Sequence, residues 1–230
     1  MKLKHCGLVC AALAGPAMAL DQWLIWRYAP LEEVMGLPQK IFYLHVPLAW
    51  WSLVAFLLAA VAGGAYLRTR RRFWDNLGLA AMESGLLLAT LALATGAIWG
   101  RYAWGVWWTA DPKLITFLIL WFTYAGCLAL RGAENRAEYC RKATFSAVLS
   151  IIAFLNVPLV FFATRLLNSV HPNAIAGRTG GLAPEMLFTL LASLAALGLT
   201  WLGILILRLH LAELKNESER MEYFRQPLGE

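Results

Sequence analysis

The chain has 230 residues, of which 60% are hydrophobic and only 15% are charged, with a net charge of +6. A soluble domain usually carries about 25% charged residues, so this chain lacks the polar side chains needed to cover a water-soluble globule. Three stretches without Lys, Arg, Asp or Glu, at 41–67, 143–164 and 186–207, are each long enough to cross a bilayer as a helix. The composition predicts an integral membrane protein and excludes a soluble enzyme, a disordered scaffold and a disulfide-stapled secreted domain.

Six apolar segments are predicted as transmembrane helices, which makes the fold an all-α integral membrane protein. They cover residues 7–28, 44–67, 76–98, 114–131, 144–165 and 185–208. The first segment resembles a cleavable signal peptide, because a basic start precedes an apolar run that reaches Ala17-Met18-Ala19. Apolar residues resume after Asp21 and extend the run to spanning length, so we expect an uncleaved helix. We expect a single membrane domain over 1–230 that ends in a solvated tail at 209–230.

The distribution of basic residues predicts the orientation, because cytoplasmic loops carry an excess of Lys and Arg. Six spans place both termini on the same side as the second and fourth loops. Fourteen of the 20 basic residues fall on that side: Lys2, Lys4, Arg68, Arg70, Arg71, Arg72, Arg131, Arg136, Arg141, Lys142, Arg208, Lys215, Arg220 and Arg225. The other six lie on the opposite side: Arg27, Lys40, Arg101, Lys113, Arg165 and Arg178. Both termini are therefore expected in the cytoplasm, and the first, third and fifth loops outside.

The predicted third loop is unusually rich in tryptophan. Trp99, Trp104, Trp107 and Trp108 fall within ten residues of a chain that has 11 tryptophans. An interfacial aromatic belt explains one or two tryptophans at a helix end. A flat surface for a planar apolar ligand explains a whole loop of them, interleaved with Gly100 and Gly105, which allow close backbone approach. The composition leaves both interpretations open.

The four histidines favour the ligand interpretation. His5 and His210 fall at predicted cytoplasmic ends, whereas His45 and His171 fall at predicted outer ends. Two histidines at the same membrane depth, on either side of a tryptophan-rich loop, match the pattern of an iron porphyrin held by two axial imidazoles. A lone histidine at a helix end is more often an ordinary polar residue, so the pairing is what carries the hypothesis.

Four segments resemble the haem-handling proteins that carry a tryptophan-rich WWD signature. They are Tyr43–Pro47 (YLHVP), Thr95–Gly100 (TGAIWG), Trp104–Asp111 (WGVWWTAD) and Asn156–Pro158 (NVP). The resemblance extends from about Trp23 to the sixth span. Its small six-span branch is the cytochrome c maturation protein C (CcmC) family, and the length of the chain fits that branch.

The resemblance implies a function and a set of site residues. It implies that His45 and His171 are the axial ligands of haem iron, and that the segment Trp104–Asp111 holds haem at the outer face. The expected site residues are His45, His171, Trp99, Trp104, Gly105, Trp107, Trp108 and Asp111. It further implies haem b (iron protoporphyrin IX) as transported cargo, with no catalytic residue and no enzymatic activity.

The resemblance also implies partners and a location. The expected acceptor is the periplasmic haem chaperone CcmE, and the expected complex contains the ATPase CcmA with the membrane subunits CcmB and CcmD. The chain itself has no GxxxxGK[ST] nucleotide-binding motif. We expect a multi-pass protein of the bacterial inner membrane whose haem site faces the periplasm, in the lipid bilayer and without a nucleic-acid partner.

Two positions depart from the family pattern. Ala110 stands where the family often has Trp, and Lys113 stands where it often has Arg. Lysine keeps the positive charge but loses the planar fork of the guanidinium. Asp111 followed by Pro112 is also the usual start of a helix, so we expect Asp111 to cap the fourth span.

Other charged residues leave several roles open. Four basic residues are candidates to pair with the two haem propionates: Arg101, Lys113, Arg165 and Arg178. Glu83 is the only acidic residue expected well inside a span, where a carboxylate is costly and should face the bundle interior or a partner subunit. The simpler alternative for Glu83 is a local hydrogen bond with Ser84.

Two other functions remain as alternatives. A b-type membrane cytochrome would carry electrons between two haems, with His5 and His210 as ligands of the inner one. A permease would need polar residues along a path through the spans, and few are present. Counting the haems per chain distinguishes the cytochrome, with two, from haem handling, with one.

Overall fold

The structure is a computed structural model that describes residues 2–131, 136–166, 169, 171 and 182–225. Seven α-helices make up most of this part of the chain: α1 (Lys2–Trp23), α2 (Phe42–Thr69), α3 (Arg72–Trp104), α4 (Pro112–Ala129), α5 (Arg136–Phe154), α6 (Asn156–Leu166) and α7 (Pro184–Arg225). A π-helical turn at Leu24–Tyr28 extends α1, and a 3₁₀ turn at Leu37–Ile41 leads into α2.

Six of the helical stretches are long and apolar enough to cross a membrane, which confirms the predicted fold class. They are Leu3–Tyr28, Leu37–Thr69, Arg72–Trp104, Pro112–Ala129, Ala137–Phe162 and Pro184–Ser218. Most of them run beyond the predicted apolar segments, because a helix continues through the membrane interface until its backbone is stopped. Gly105, with φ +75°, stops α3, and Arg70, with φ +54°, stops α2 and donates its N–H to the carbonyl of Tyr66.

The fifth span consists of two helices. α5 ends at Phe154 and α6 begins at Asn156, two residues before Pro158. Proline has no N–H for the carbonyl four residues earlier, which is that of Phe154, so it breaks the helical ladder. The Asn156 side chain donates to the backbone carbonyl of Thr116 at 2.6 Å and joins α6 to α4 near the break.

The centre of the bundle is α2, which packs against α3, α5 and α7. The rings of Phe56 and Tyr124 stack with centres 3.9 Å apart, and the Tyr124 hydroxyl donates to the carbonyls of Phe56 and Ser150. A methyl group at Gly85 would come within 2.9 Å of Ala55, so a glycine is needed where α3 crosses α2. Small residues at such crossings allow the van der Waals contact that holds helices together in lipid.

α1 packs along α7 as a full-length partner. A methyl group at Gly7 would come within 2.8 Å of Leu207, and the buried carboxylate of Asp21 accepts a hydrogen bond from Ser193 at 2.6 Å. Lys40 is also buried, and its ammonium group donates to the carbonyls of Ile25 and Ala29 where the π-helical turn ends. These contacts lie in the segment that the sequence left open between a signal peptide and a span.

The acidic residue inside the third span is paired with a basic residue of another helix. Glu83 forms an ion pair with Arg208 of α7, with a shortest distance of 2.5 Å, and not a bond to Ser84. The Ser84 hydroxyl donates to the carbonyl of Ala80 and accepts from the indole N–H of Trp201. The structure therefore does not show the simpler alternative, a bond to Ser84, because α7 brings Arg208 beside Glu83.

Candidate functional site

Four rings meet where α2 begins and α3 ends. The ring centres of His45 and His171 are 6.4 Å apart, and the rings are inclined by 36°. Trp99 and Trp104 lie 6.5 Å and 6.4 Å from His171, and they contact each other edge to face at 5.3 Å. We call these four residues the aromatic cluster. It unites the two histidines and two of the tryptophans that the sequence singled out.

His45 is held by α3 through its Nδ1 atom. Nδ1 lies 3.0 Å from the backbone carbonyl of Ala92 and 3.2 Å from the hydroxyl of Thr95. The Thr95 hydroxyl donates its own proton to the carbonyls of Leu91 and Ala92. Since a carbonyl oxygen only accepts, Nδ1 carries the proton in the neutral ring, and Nε2 keeps its lone pair for a metal ion.

The His45 ring can approach α3 because residue 96 is a glycine. A methyl group at Gly96 would come within 2.9 Å of Cε1 of the ring. Such a contact is shorter than carbon atoms tolerate, so any larger residue would push the imidazole away from Ala92 and Thr95. The glycine therefore sets the distance at which the two acceptors hold the ring.

His171 lies in the chain between α6 and α7 and has a different environment. Its backbone N–H donates to the Ser169 hydroxyl at 3.2 Å, and that hydroxyl donates to Oδ1 of Asp111 at 3.0 Å. The ammonium group of Lys113 lies 3.5 Å from Nδ1 of His171. An ammonium group only donates, so Nδ1 of this ring is the acceptor.

Asp111 joins α4 to this loop. Its side chain is buried and accepts from the backbone N–H of Lys113 at 2.9 Å, with Pro112 at the first helical position. This confirms the predicted helix cap. Because the same oxygen accepts from Ser169, the cap of α4 is also joined to the residue two positions before His171.

The two glycines of the tryptophan-rich loop act in different ways. At Gly100 a methyl group would come within 3.1 Å of the Trp104 ring, so the glycine lets that ring pack against the backbone of α3. Gly105 has no atom within 4 Å of such a methyl group, so its role is the positive φ of +75° that ends α3. The Arg101 guanidinium donates to the Gly105 carbonyl and closes this turn.

Trp107 and Trp108 lie beside the aromatic cluster rather than in it. They follow the turn at Gly105, and their side chains are 61% and 42% exposed. The ring contacts with His171 come instead from Trp99 and Trp104, which belong to the last turns of α3. The segment predicted as one platform is therefore divided into a packed part and an exposed part.

Trp99 has a buried polar atom without a partner. Among the described residues, nothing hydrogen-bonds its indole Nε1, although the atom is inaccessible to solvent. Buried N–H groups almost always have a partner, and an exception within a cluster of candidate ligands suggests that a bound molecule provides the acceptor.

The four basic residues that the sequence offers as partners of the haem propionates fall into two sets. Arg101 and Lys113 are described, and they contact Gly105 and His171 respectively. Arg178 and the side chain of Arg165 lie outside the described residues.

Sequence reasoning missed the residues that hold the two histidines. Thr95 and Gly96 lie in the segment Thr95–Gly100 that resembles the family, but the sequence did not indicate a role for either of them. The sequence did not indicate a role for Ser169 either. A signal was present for α3: Ala92, Thr95, Gly96 and Trp99 follow the spacing i, i+3, i+4 and i+7, which places them on one helix face. No comparable pattern identifies Ser169.

Known proteins resemble the chain over most of its length. The sequence profile of the CcmC family, described as "Heme exporter protein C", matches residues 3–224. "Heme exporter protein C" of Bradyrhizobium diazoefficiens is 33% identical over 189 residues, which are 82% of this chain and 70% of that protein. The protein of the same name in Escherichia coli K12 is 33% identical over 163 residues, 70% of this chain and 65% of the relative. That of Paracoccus denitrificans is 30% identical over 200 residues, 85% and 82% of the two proteins.

The profile covers almost the whole chain, including the aromatic cluster and all six spans. The chain belongs to the Heme exporter protein C (CcmC) family.

Proposed function

We propose that this protein binds one haem b between His45 and His171 and passes it to an acceptor for the maturation of c-type cytochromes. The haem is cargo rather than a resident catalytic group, and no bond-making residue is required of the chain. The chain's task is to position, ligate and release haem.

The distance between the two imidazoles carries the proposal. Imidazoles that bind one metal ion from opposite sides have ring centres about 6.5 Å apart, given metal–nitrogen bonds of about 2.0–2.1 Å and roughly 1.2 Å from nitrogen to ring centre. The ring centres of His45 and His171 are 6.4 Å apart. His45 also has the tautomer that a metal ligand needs, since its Nδ1–H is donated to Ala92.

The surroundings of the histidines suit a flat, largely apolar molecule with acidic groups. Trp99 and Trp104 provide aromatic faces beside His171. The unpartnered Nε1–H of Trp99 is a donor, and a carboxylate is a strong acceptor for such a group. Haem combines an aromatic macrocycle with two carboxylates, so both features fit it.

The location follows from the charge distribution. The aromatic cluster lies at the end of the bundle opposite the 14 basic residues, so the positive-inside rule places it on the periplasmic face of the inner membrane. On this orientation both termini and the tail 209–230 are cytoplasmic, and residues 1–230 act as one membrane domain.

Export at this face requires partners. We propose the periplasmic haem chaperone CcmE as acceptor, because the cargo leaves on the periplasmic side. The ATPase CcmA and the membrane subunits CcmB and CcmD complete an ABC-type complex, since this sequence contains no GxxxxGK[ST] motif of its own.

Absorption spectroscopy of the purified protein tests the proposal. We expect a six-coordinate low-spin haem spectrum, and each of His45→Ala and His171→Ala should convert it to a five-coordinate or differently ligated form. His210→Ala, in the distant part of α7, is the matched control and should leave the spectrum unchanged. A larger effect of His210→Ala, or no haem bound by the unaltered protein, would overturn the assignment.

The number of haems bound per chain distinguishes the proposed function from the alternative, a b-type cytochrome. A b-type cytochrome would hold two haems per chain, whereas the proposed function requires one. A value of two, with the second haem lost in His5→Ala, would favour electron transfer.

Thiol labelling tests the orientation. Single cysteines placed in the segments 105–110 and 69–72, in a chain without its native cysteines, should react differently with an impermeant reagent in intact cells. Labelling only of the cysteine at 105–110 is expected. Labelling only of the other would move the site to the cytoplasmic face.

A further inference from the structure

The two histidines of the aromatic cluster have opposite hydrogen-bond environments at the same ring atom. Nδ1 of His45 faces two acceptors, the Ala92 carbonyl and the Thr95 hydroxyl. Nδ1 of His171 faces a donor, the ammonium group of Lys113. Nothing in the family resemblance implies such a difference, since both histidines are expected to ligate the same iron.

The difference changes the strength of each imidazole as a ligand. Donation of a proton from Nδ1 to an oxygen acceptor raises the electron density at Nε2 and makes it a better metal ligand. A hydrogen bond received at Nδ1 from an ammonium group withdraws electron density and leaves the ring proton on Nε2. His171 therefore binds a metal ion through Nε2 only after its contact with Lys113 has changed.

The backbone supports the two histidines differently as well. His45 belongs to the first turns of α2, and its ring lies against Gly96 of the neighbouring α3. His171 lies outside the helices, and its backbone N–H donates to the Ser169 hydroxyl, which donates in turn to Asp111. Rotation of the His171 ring changes its contact with Lys113, whereas rotation of the His45 ring breaks two hydrogen bonds to α3.

We propose that His45 is the permanent ligand, held by Thr95 as a positioning residue, and that His171 is the exchangeable ligand, released with the help of Lys113. This inference rests on the proposed function. In the exchange, the bond between iron and Nε2 of His171 breaks, and a bond from iron to a donor atom of the acceptor forms. Iron keeps its oxidation state. The freed imidazole gives its Nδ1 proton to water and takes up a proton at Nε2 from water, and Lys113 then donates again to Nδ1. The bond to His45 breaks last.

The tautomers of the haem-free protein give the first test. Nitrogen NMR of ¹⁵N-histidine-labelled full-length protein distinguishes a proton on Nδ1 from one on Nε2. We expect the Nδ1–H form for His45 and the Nε2–H form for His171, assigned with His45→Ala and His171→Ala. The same tautomer for both residues would overturn the inference. Because haem is absent, this result is independent of the proposed function.

Substitutions around each ring give the second test. Thr95→Val keeps the shape but loses the acceptor, so the haem reduction potential should rise and haem loss should be about ten-fold faster. Thr95→Ser should restore both values. Thr123→Val is the matched control on the neighbouring α4, where the Thr123 hydroxyl donates to the Ile119 carbonyl, and it should change neither.

Lys113→Met should act in the opposite direction. Without the ammonium group, His171 becomes the stronger ligand, so the reduction potential should fall and transfer of haem to apomyoglobin should slow. Faster haem loss in Lys113→Met would instead identify Lys113 as a partner of a propionate and overturn its role at His171. Unaltered protein that binds no haem would refute the proposed function, while the tautomers would still decide this inference.

Discussion

The two ends of the bundle satisfy their polar groups in different ways. At the end opposite the aromatic cluster, the Asp75 carboxylate accepts from both terminal nitrogens of Arg131, at 2.7 and 2.8 Å, and from the Tyr139 hydroxyl at 2.5 Å. The Arg72 guanidinium lies over the Tyr139 ring at 4.7 Å. We call these four residues the closed end. At the aromatic cluster, by contrast, the indole N–H of Trp99 is buried without a partner among the described residues.

α3 and α4 each reach both ends of the bundle, so the two ends do not belong to separate parts of the fold. α3 begins at Arg72 beside the closed end and finishes at Trp104 in the aromatic cluster. α4 begins at Pro112 beside Asp111 and finishes next to Arg131. A polar group satisfied within the chain stabilises the fold, whereas a buried donor without a partner among the described residues, beside two candidate ligands, is available to a bound molecule. The comparison thus distinguishes polar groups that hold the fold from one that we propose to contact the ligand.

Breaking the closed end should have the largest effect on stability. Arg131→Met leaves the Asp75 carboxylate, 5% exposed, without its guanidinium partner. Removal of one partner of a buried ion pair costs about 3–5 kcal/mol. We expect a clear loss of thermal stability in detergent, with an unchanged spectrum in the haem bound by the folded fraction.

The same end of the bundle provides the control. Lys142 and Glu138 form a partly exposed ion pair four residues apart on α5, at 2.7 Å. Such a pair contributes about 0–1 kcal/mol, so Lys142→Ala should lower stability only slightly. Equal losses in Arg131→Met and Lys142→Ala would contradict the structural role of the closed end.

Displacement of His45 should have the next largest effect. It should change haem binding at the aromatic cluster and leave the closed end intact. Gly96→Ala puts a methyl group within 2.9 Å of the ring. Overpacking of this kind costs about 1–3 kcal/mol. We expect weaker haem binding and an altered low-spin spectrum, measured by haem titration. Gly64→Ala lies on α2 with no atom within 4 Å of the added methyl group, so it should bind haem normally. Equal behaviour of the two variants would show that the glycine does not position His45.

The two parts of the tryptophan-rich segment should also differ. Aromatic contacts contribute about 0.5–1.5 kcal/mol each beyond the area they bury. Replacement of both Trp99 and Trp104 by Ala should therefore weaken haem binding about five- to 150-fold. The same change at Trp107 and Trp108, which are exposed, should weaken binding less and reduce transfer to the acceptor more. If the exposed pair proved more important for haem retention, the division at Gly105 would be wrong.

The sequence predicted the elements well because each is a local signal. Apolar runs identified the six spans, and Asp111 before Pro112 identified the start of α4. The pairing of His45 with His171 was also predicted, because both fall at ends of spans on the same side. These predictions required only the position of each residue along its own helix.

Contacts between distant helices were not predictable in this way. For Glu83 the sequence left open the bundle interior, a partner subunit or its neighbour Ser84, whereas the structure pairs it with Arg208 of α7. Trp107 and Trp108 were grouped with Trp104 because they are close in sequence, but the left-handed turn at Gly105 ends α3 between them. The contact of Lys113 with His171 joins residues 58 positions apart, and the sequence offers no periodic signal for it.

The smallest expected effects concern two buried polar atoms that have no partner among the described residues. The Tyr43 hydroxyl and the Trp99 indole N–H share this property. Tyr43 packs in an apolar cluster with Ile25, Ala29 and residues of α7. Trp99 belongs to the aromatic cluster, where its ring lies beside His171.

Substitution by Phe at each position separates the two cases. Tyr43→Phe removes an unsatisfied hydroxyl and should leave stability unchanged or slightly higher, with no change in haem affinity. Trp99→Phe removes a donor that a bound carboxylate would accept, and one hydrogen bond contributes about 0.5–1.5 kcal/mol. Haem affinity should fall about two- to ten-fold, measured by titration beside thermal unfolding of the haem-free protein. An equal loss of affinity in both variants would mean that the unpartnered indole reflects packing alone, because a ligand at the aromatic cluster reaches only one of these atoms.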